Sequence, residues 1–560
     1  MRVLKVLFLV LVVGALPLAA ADQQPTTLDQ VVDRVVSREA ALMNSLRQFS
    51  PLVETYVQNM KPDKDLGAVP AGDKYFLGRA ELDKGVELRP LSEKSGKMHR
   101  LFGGVGGFFS FGMQYLPRGF LQMIYVDMNG FDRQHYNFDY VRREFLGEVR
   151  CLVFDVTPLP KAGKGRFLGR IWVEDQDFTV VRFNGAYTGS SSSRFYFHFD
   201  SWRVNSGPGL WLPAFIYSEE TDLPYALMKR LQFKAQTRLW GYNLGRAGQE
   251  QELSKVLVEA AQPVRDTTVA TNDPSPVQAQ RNWDRQAEDN VVDRLQRMGL
   301  LAPPSEVDKV LETVVNNLEV TNNLDIQPEV RCRVLLTSTF ESFTIGHTIV
   351  LSRGLIDVLP DEPTLATMVA HELGHAVLGH RIDPQYAFFD RLLFDDKETF
   401  QHFIFARPQN EEDAANQKAM EMLKNSPYKN QLSTAALFLQ ALDTRGKEIP
   451  NLVSPHLGNR VPVNAELKTA AVPAASDPKD PKRPGPIAAL PLGGRVKLDP
   501  WTDRIEMLKS KPVGAVSERE KMPFEVTPFM PYLTRLTSSS IAQPAPAVTA
   551  ESKGPVKKRE

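Results

Sequence analysis

The residues that most constrain this chain are His371-Glu372-Leu373-Gly374-His375, within the run DEPTLATMVAHELGHAVLGH (361–380). The run reads as one helix. Asp361 is an N-cap, Pro363 suits the first turn, and Leu365, Val369, Leu373, Ala376 and Val377 make an apolar stripe. On a helix, residues four apart share a face, with Cβ atoms roughly 5–6 Å apart. His371 and His375 can therefore offer two imidazole nitrogens to one metal ion. Glu372, one position on, can handle a proton of a bound water.

A zinc site of this kind needs a third protein ligand and an open position for water. The extended pattern HExxHxxGxxH is absent, because Leu378 and Arg381 stand where its Gly and last His belong. His380 falls one residue short of that position and is expected to be a helix-end or packing residue. The third ligand is therefore expected to be a carboxylate on a later helix. In NEEDAANQKAMEML (410–423), Glu412, Ala415, Ala419 and Leu423 share a helical face, and the small residues permit close approach. Glu411 points about 100° away from Glu412 and competes with it, as does Glu398 more weakly.

The segment FESFTIGHTIVLSRGLIDVLPDEPTLATMVAHELGHAVLGH, followed by EDAANQKAMEML, resembles peptidase family M48, the gluzincins that include HtpX-type and CAAX prenyl endopeptidases. The resemblance spans about 300–460. It implies one zinc ion per chain, held by His371, His375 and Glu412, with Glu372 as general base. The family pattern E-x-x-A-D reads E-x-x-A-N here, with Asn416 in the place of an Asp that holds a ligand histidine from behind. Asn accepts the same hydrogen bond without bringing charge, which lowers metal affinity and keeps open a degenerate protease. His456, in SPHLGNR, resembles the family's His-Pro…Arg segment, although Leu457 replaces the proline. It is expected either near the active site, as a catalytic or zinc-regulating group, or in a surface loop.

The first residues, MRVLKVLFLVLVVGALPLAAADQQP, carry Arg2 and Lys5, an apolar core, Pro17 and Ala19–Ala21 before Asp22. This is a secretory signal pattern. The mature protein is expected to be soluble and exported, to a bacterial periplasm if the resemblances hold. Lys plus Arg and Asp plus Glu both number 67, which gives no reason to expect nucleic acid as a partner. The two cysteines, Cys151 and Cys332, each sit in an apolar strand-like run and are expected as buried thiols.

Between the two ends the pattern changes twice. LDQVVDRVVSREAALMNSLRQF has helical apolar spacing, and short alternating runs such as EVRCLVFDV, GRFLGRIWVEDQDFTVVRF and LWLPAFIYSEE then predict a many-stranded antiparallel sheet. This arrangement resembles the LolA/LolB-like half-barrels, which implies lipid or lipoprotein as a possible partner; a plain scaffold is the other reading. The expected organisation is a signal peptide (1–21), a β-rich domain (22–255), a linker and helix (256–300), a metallopeptidase domain (301–462), a Pro-rich linker (463–486), a C-terminal segment packing back (487–536) and a disordered tail (537–560). The fold class is α+β: a curved antiparallel β half-barrel with a helix, then a mainly helical gluzincin domain with a small sheet. The expected function is zinc-dependent hydrolysis of envelope proteins bound as an extended strand, along the edge near Thr344–Leu351. The alternative is an envelope chaperone or lipid-binding protein with a weak or inactive protease half.

Overall fold

The computed structural model describes residues 25, 27–63, 67–83, 85–91, 117–188, 197–226, 229–242, 276–380, 396–461, 496–499, 504–507 and 533–536. The signal peptide (1–21), the Pro-rich linker (463–486) and the tail (537–560) lie outside them. Among the described residues no helix is long and apolar enough to cross a membrane.

The chain is α+β. Helix α1 (Leu28–Leu46) opens with a capping box, in which the Thr27 side chain accepts from the Gln30 backbone and the Gln30 side chain accepts from Thr27 N–H. This satisfies two donors that a helix start otherwise leaves bare. Ten strands follow: β1 (Leu52–Asp63), β2 (Gly67–Glu81), β3 (Glu87–Pro90), β4 (Tyr136–Leu146), β5 (Val149–Pro158), β6 (Phe167–Glu174), β7 (Val180–Tyr187), β8 (Phe199–Gly207), β9 (Leu210–Ala226) and β10 (Lys229–Trp240). They form one antiparallel sheet in the order β3-β2-β1-β10-β9-β8-β7-β6-β5-β4, open between β3 and β4. A short helix, α2 (Pro117–Gln122), precedes β4.

Strand alternation divides this sheet into two faces. On β1, Val53 and Val57 pack in one core with Val31, Val35 and Leu42 of α1 and Phe120 and Leu121 of α2. Glu39 of α1 is buried against Arg203 of β8 in a paired contact, with Nη–Oε distances of 2.6 and 2.7 Å. Removing one partner of such a buried pair costs about 3–5 kcal/mol, so it locks the helix onto the sheet. On the other face, Glu54 and Tyr56 meet the C-terminal half. Glu54 accepts from Ser338 N–H (2.6 Å) and Ser338 Oγ (2.7 Å), and from Tyr75 and Arg238. Asp73 accepts from the backbone of Asn451 and Leu452. Buried carboxylates need such donors, and here Ser338, Asn451 and Leu452 supply part of them from the other half of the chain.

That half begins with α3 (Pro276–Arg297), inside the stretch 256–300 expected as linker and helix, and α4 (Glu306–Thr321), capped by Ser305. Strands β11 (Arg331–Leu335), β12 (Glu341–Ile345) and β13 (Thr348–Ser352) follow, then α5 (Arg353–Val358), α6 (Glu362–Val377), α7 (Asp396–His402), α8 (Gln409–Lys424), α9 (Leu432–Arg445) and the two-residue β14 (Asn459–Arg460). The small sheet has the order β11-β13-β12-β14. Leu318 of α4, Val369 and Leu373 of α6, Met422 and Leu423 of α8 and Phe438 of α9 share its core. Cys151 and Cys332 are buried thiols, and burial raises both above the usual thiol range.

Candidate metal centre

Helix α6 starts as its sequence requires. Asp361 Oδ1 accepts from Thr364 N–H at 2.9 Å, and a proline stands in the first turn. The helix is apolar over most of its circumference and is buried along nearly its whole length, including His371, Glu372 and His375.

Helix α8 crosses it at a point fixed by glycine. A Cβ on Gly374 would lie 2.8 Å from the Ala415 carbonyl oxygen and 3.3 Å from Ala415 Cα. Only a bare backbone against a small residue lets the helices come this close. One turn before Ala415, Glu412 then reaches the imidazoles. Glu412 Oε2 is 3.3 Å from His371 Nε2, Glu412 Oε1 is 3.3 Å from His375 Nε2, and the two Nε2 atoms are 3.3 Å apart. All three side chains are buried.

These separations suit a metal. Zinc takes imidazole nitrogen at about 2.0–2.1 Å and carboxylate oxygen at about 2.0–2.2 Å, and the edge of such a tetrahedron is about 3.3–3.4 Å. The electrostatics agree. Burial works to raise the Glu412 carboxyl, but hydrogen bonds and charge from His371 and His375 hold it down at about 2. Burial works to lower His371, and is overruled by its hydrogen bond to Glu412 and the charges of Glu372 and Glu412, which raise it. The cluster thus favours a positive charge at its centre.

Each imidazole is backed on its far nitrogen. Asn416 Oδ1 lies 3.1 Å from His371 Nδ1. His380 stands at the helix end as expected, and its ring packs on His375, with the two Nδ1 atoms 2.8 Å apart. Gly379 adopts φ +69° and His380 N–H returns to the His375 carbonyl at 3.0 Å, a turn that left-handed glycine permits. It swings the His380 ring beside His375. Glu411 sits 3.8 Å from His380 Nδ1 and 3.4 Å from Arg407 Nη1, beside His380 rather than between the two Nε2 atoms. Glu398 is not part of any metal-capable group among the described residues.

Glu372 faces β12, where its Oε1 and Oε2 accept from Ser342 Oγ and Thr344 Oγ1, each at 2.6 Å. Neither hydroxyl stands out in the sequence. His456 is not part of any metal-capable group among the described residues. Its backbone N–H donates to Glu341 Oε2 at 3.0 Å and its ring lies against Tyr75, with centroids 4.9 Å apart. The expected substrate edge is also shorter than Thr344–Leu351. Thr348–Ser352 lies inside the sheet, between β11 and β12, and the outer side of β12 pairs with β14 at Glu341 and Ser342.

Residues 306–396 match the sequence model of peptidase family M48. The matched stretch runs from α4 through His371, Glu372 and His375, and marks this part of the chain as similar to a metallopeptidase domain. Glu412 and Asn416 lie beyond it. No curated protein matches the chain. Among solved structures, a DUF1329 family protein from Desulfovibrio piger is 12% identical, covering 38% of this chain and 94% of that one at a TM-score of 0.18.

Proposed function

We propose that this protein is an exported zinc endopeptidase of the bacterial envelope, with zinc held by His371, His375 and Glu412. The observation that carries the reading is the convergence of two imidazole Nε2 atoms and one carboxylate at 3.3 Å from one another, on helices whose crossing is set by Gly374 and Ala415. Bound there, zinc would act as a Lewis acid on a peptide carbonyl and lower the pKa of a water to about 7.

The chain's own residues supply the rest. Asn416 and His380 fix the planes of the two imidazoles from behind. Asn416 Oδ1 is a neutral acceptor, so His371 stays less basic than it would against a carboxylate. Glu372 takes a proton from the attacking water as its oxygen bonds to the carbonyl carbon, and passes it to the amide nitrogen as the C–N bond breaks. An extended substrate would add along the outer side of β12 beyond Ser342, with backbone hydrogen bonds giving affinity without sequence readout. Arg407 Nη2 now donates to the Thr344 carbonyl at 3.4 Å, so the substrate must displace it.

The test is metal content. Purified wild type should hold one zinc per chain, and Glu412→Ala should hold little at the same free zinc concentration. Equal zinc in both would remove the site.

A further inference from the structure

The buried face of β12 carries two hydroxyls where a strand packed on an apolar helix would ordinarily present aliphatic side chains. Ser342 and Thr344 are two apart, so they point the same way, toward α6. Both are buried, as is Glu372. Ser342 Oγ donates to Glu372 Oε1 at 2.6 Å, and Thr344 Oγ1 donates to Glu372 Oε2 at 2.6 Å. Thr344 Oγ1 is also 3.2 Å from the Glu372 backbone carbonyl. Distances of this size are those of hydroxyls bonded to a charged carboxylate. Buried hydroxyls need partners, and on this face Glu372 partners both. One strand therefore takes hold of both oxygens of a single carboxylate.

We propose that Ser342 and Thr344 are positioning residues for the general base, holding the Glu372 carboxylate in the one orientation from which it can take a proton from water; this rests on the reading of Glu372 as that base. A glutamate has three side-chain torsions, and left alone it samples many orientations. Two donors, one on each oxygen, fix both the position and the plane of the carboxylate. Each oxygen keeps a second lone pair for the water. The strand that holds the base also borders the edge where a substrate would add. Ser342 is paired with Asn459 through the backbone while its side chain holds Glu372. Base and substrate register are thus set by the same five residues.

The experiment compares wild type, Ser342→Ala/Thr344→Val, the conservative pair Ser342→Thr and Thr344→Ser, and Glu372→Gln, on an unstructured polypeptide substrate. Zinc content and thermal melting are measured on each. Loss of orientation should lower kcat by about 10–100-fold, part of the range a general base supplies, with KM and zinc content held. The hydroxyl-retaining variants should keep most of kcat. An unchanged kcat in Ser342→Ala/Thr344→Val overturns the proposal. So does a fall that the conservative variants share, or one that goes with lost zinc, because the hydroxyls would then be structural. If the double variant does not fold, Thr344→Val against Thr344→Ser decides by the same criteria. An inactive wild type, or a Glu372→Gln variant as active as wild type, refutes the protease reading and this proposal with it. An active wild type, a silent Glu372→Gln and an unaffected double variant refute the positioning role alone.

Discussion

Gly374→Ala separates the placing of the metal ligands from the stability of the fold. The added Cβ would lie 2.8 Å from the Ala415 carbonyl oxygen and 3.3 Å from Ala415 Cα. Ordinary contact begins near 3.4 Å, and the obstacle is backbone that cannot rotate away. Helix α8 must retreat from α6 by roughly 0.5 Å, the tolerance within which a metal or catalytic constellation works. Overpacking costs about 1–3 kcal/mol, while replacing a helical glycine with alanine returns about 1 kcal/mol. The net effect on the metal-free fold is therefore about 0–2 kcal/mol. Glu412, one turn from the crossing, moves with α8, and zinc affinity should fall about 10–100-fold, as when a ligand's support is removed. Competition against a chelator of known affinity measures the first quantity, and thermal melting in excess chelator the second. Undiminished zinc affinity together with a higher metal-free melting temperature would refute the claim that this crossing places Glu412.

Glu411→Ala should keep most of the zinc that Glu412→Ala loses, because Glu411 faces His380 and Arg407; the reverse order of zinc contents would shift the ligand assignment by one residue. Asn416→Asp should raise zinc affinity by about 10–100-fold by placing a charge behind His371, and no gain in a chelator titration would remove Asn416 from the site. N-terminal sequencing of protein from envelope fractions should find a chain starting at or near Asp22, and a retained Met1 in the cytosol would contradict export.

The parts of the site that were legible in the sequence follow from local rules. Asp361, Pro363 and the apolar stripe define α6, and helical geometry places His371 and His375 on one side. Glu412, Ala415 and Ala419 lie on one buried face of α8, and small residues advertised that approach. The contact of the His380 ring with His375 has no helical signature, because the left-handed turn at Gly379 folds the ring back. Ser342 and Thr344 were invisible because their partner lies about thirty positions on, and no local pattern encodes the meeting of β12 with α6. The setting of His456 is hidden for a similar reason: Glu341 holds its backbone, and its ring lies against Tyr75 of the N-terminal sheet. The many-stranded antiparallel sheet was readable from alternation. The pairing of β1 with β10, and the docking of Glu54 and Asp73 on the other half, depend on contacts across hundreds of residues.

The central claim is that Glu372 moves the proton in a zinc-dependent hydrolysis. Its most direct test is peptide hydrolysis by Glu372→Gln beside wild type, at equal measured zinc and with contaminating protease excluded. The account predicts that Glu372→Gln keeps its zinc and its melting temperature and loses about 10²–10⁴-fold in kcat. Undiminished cleavage by the zinc-loaded variant would contradict it.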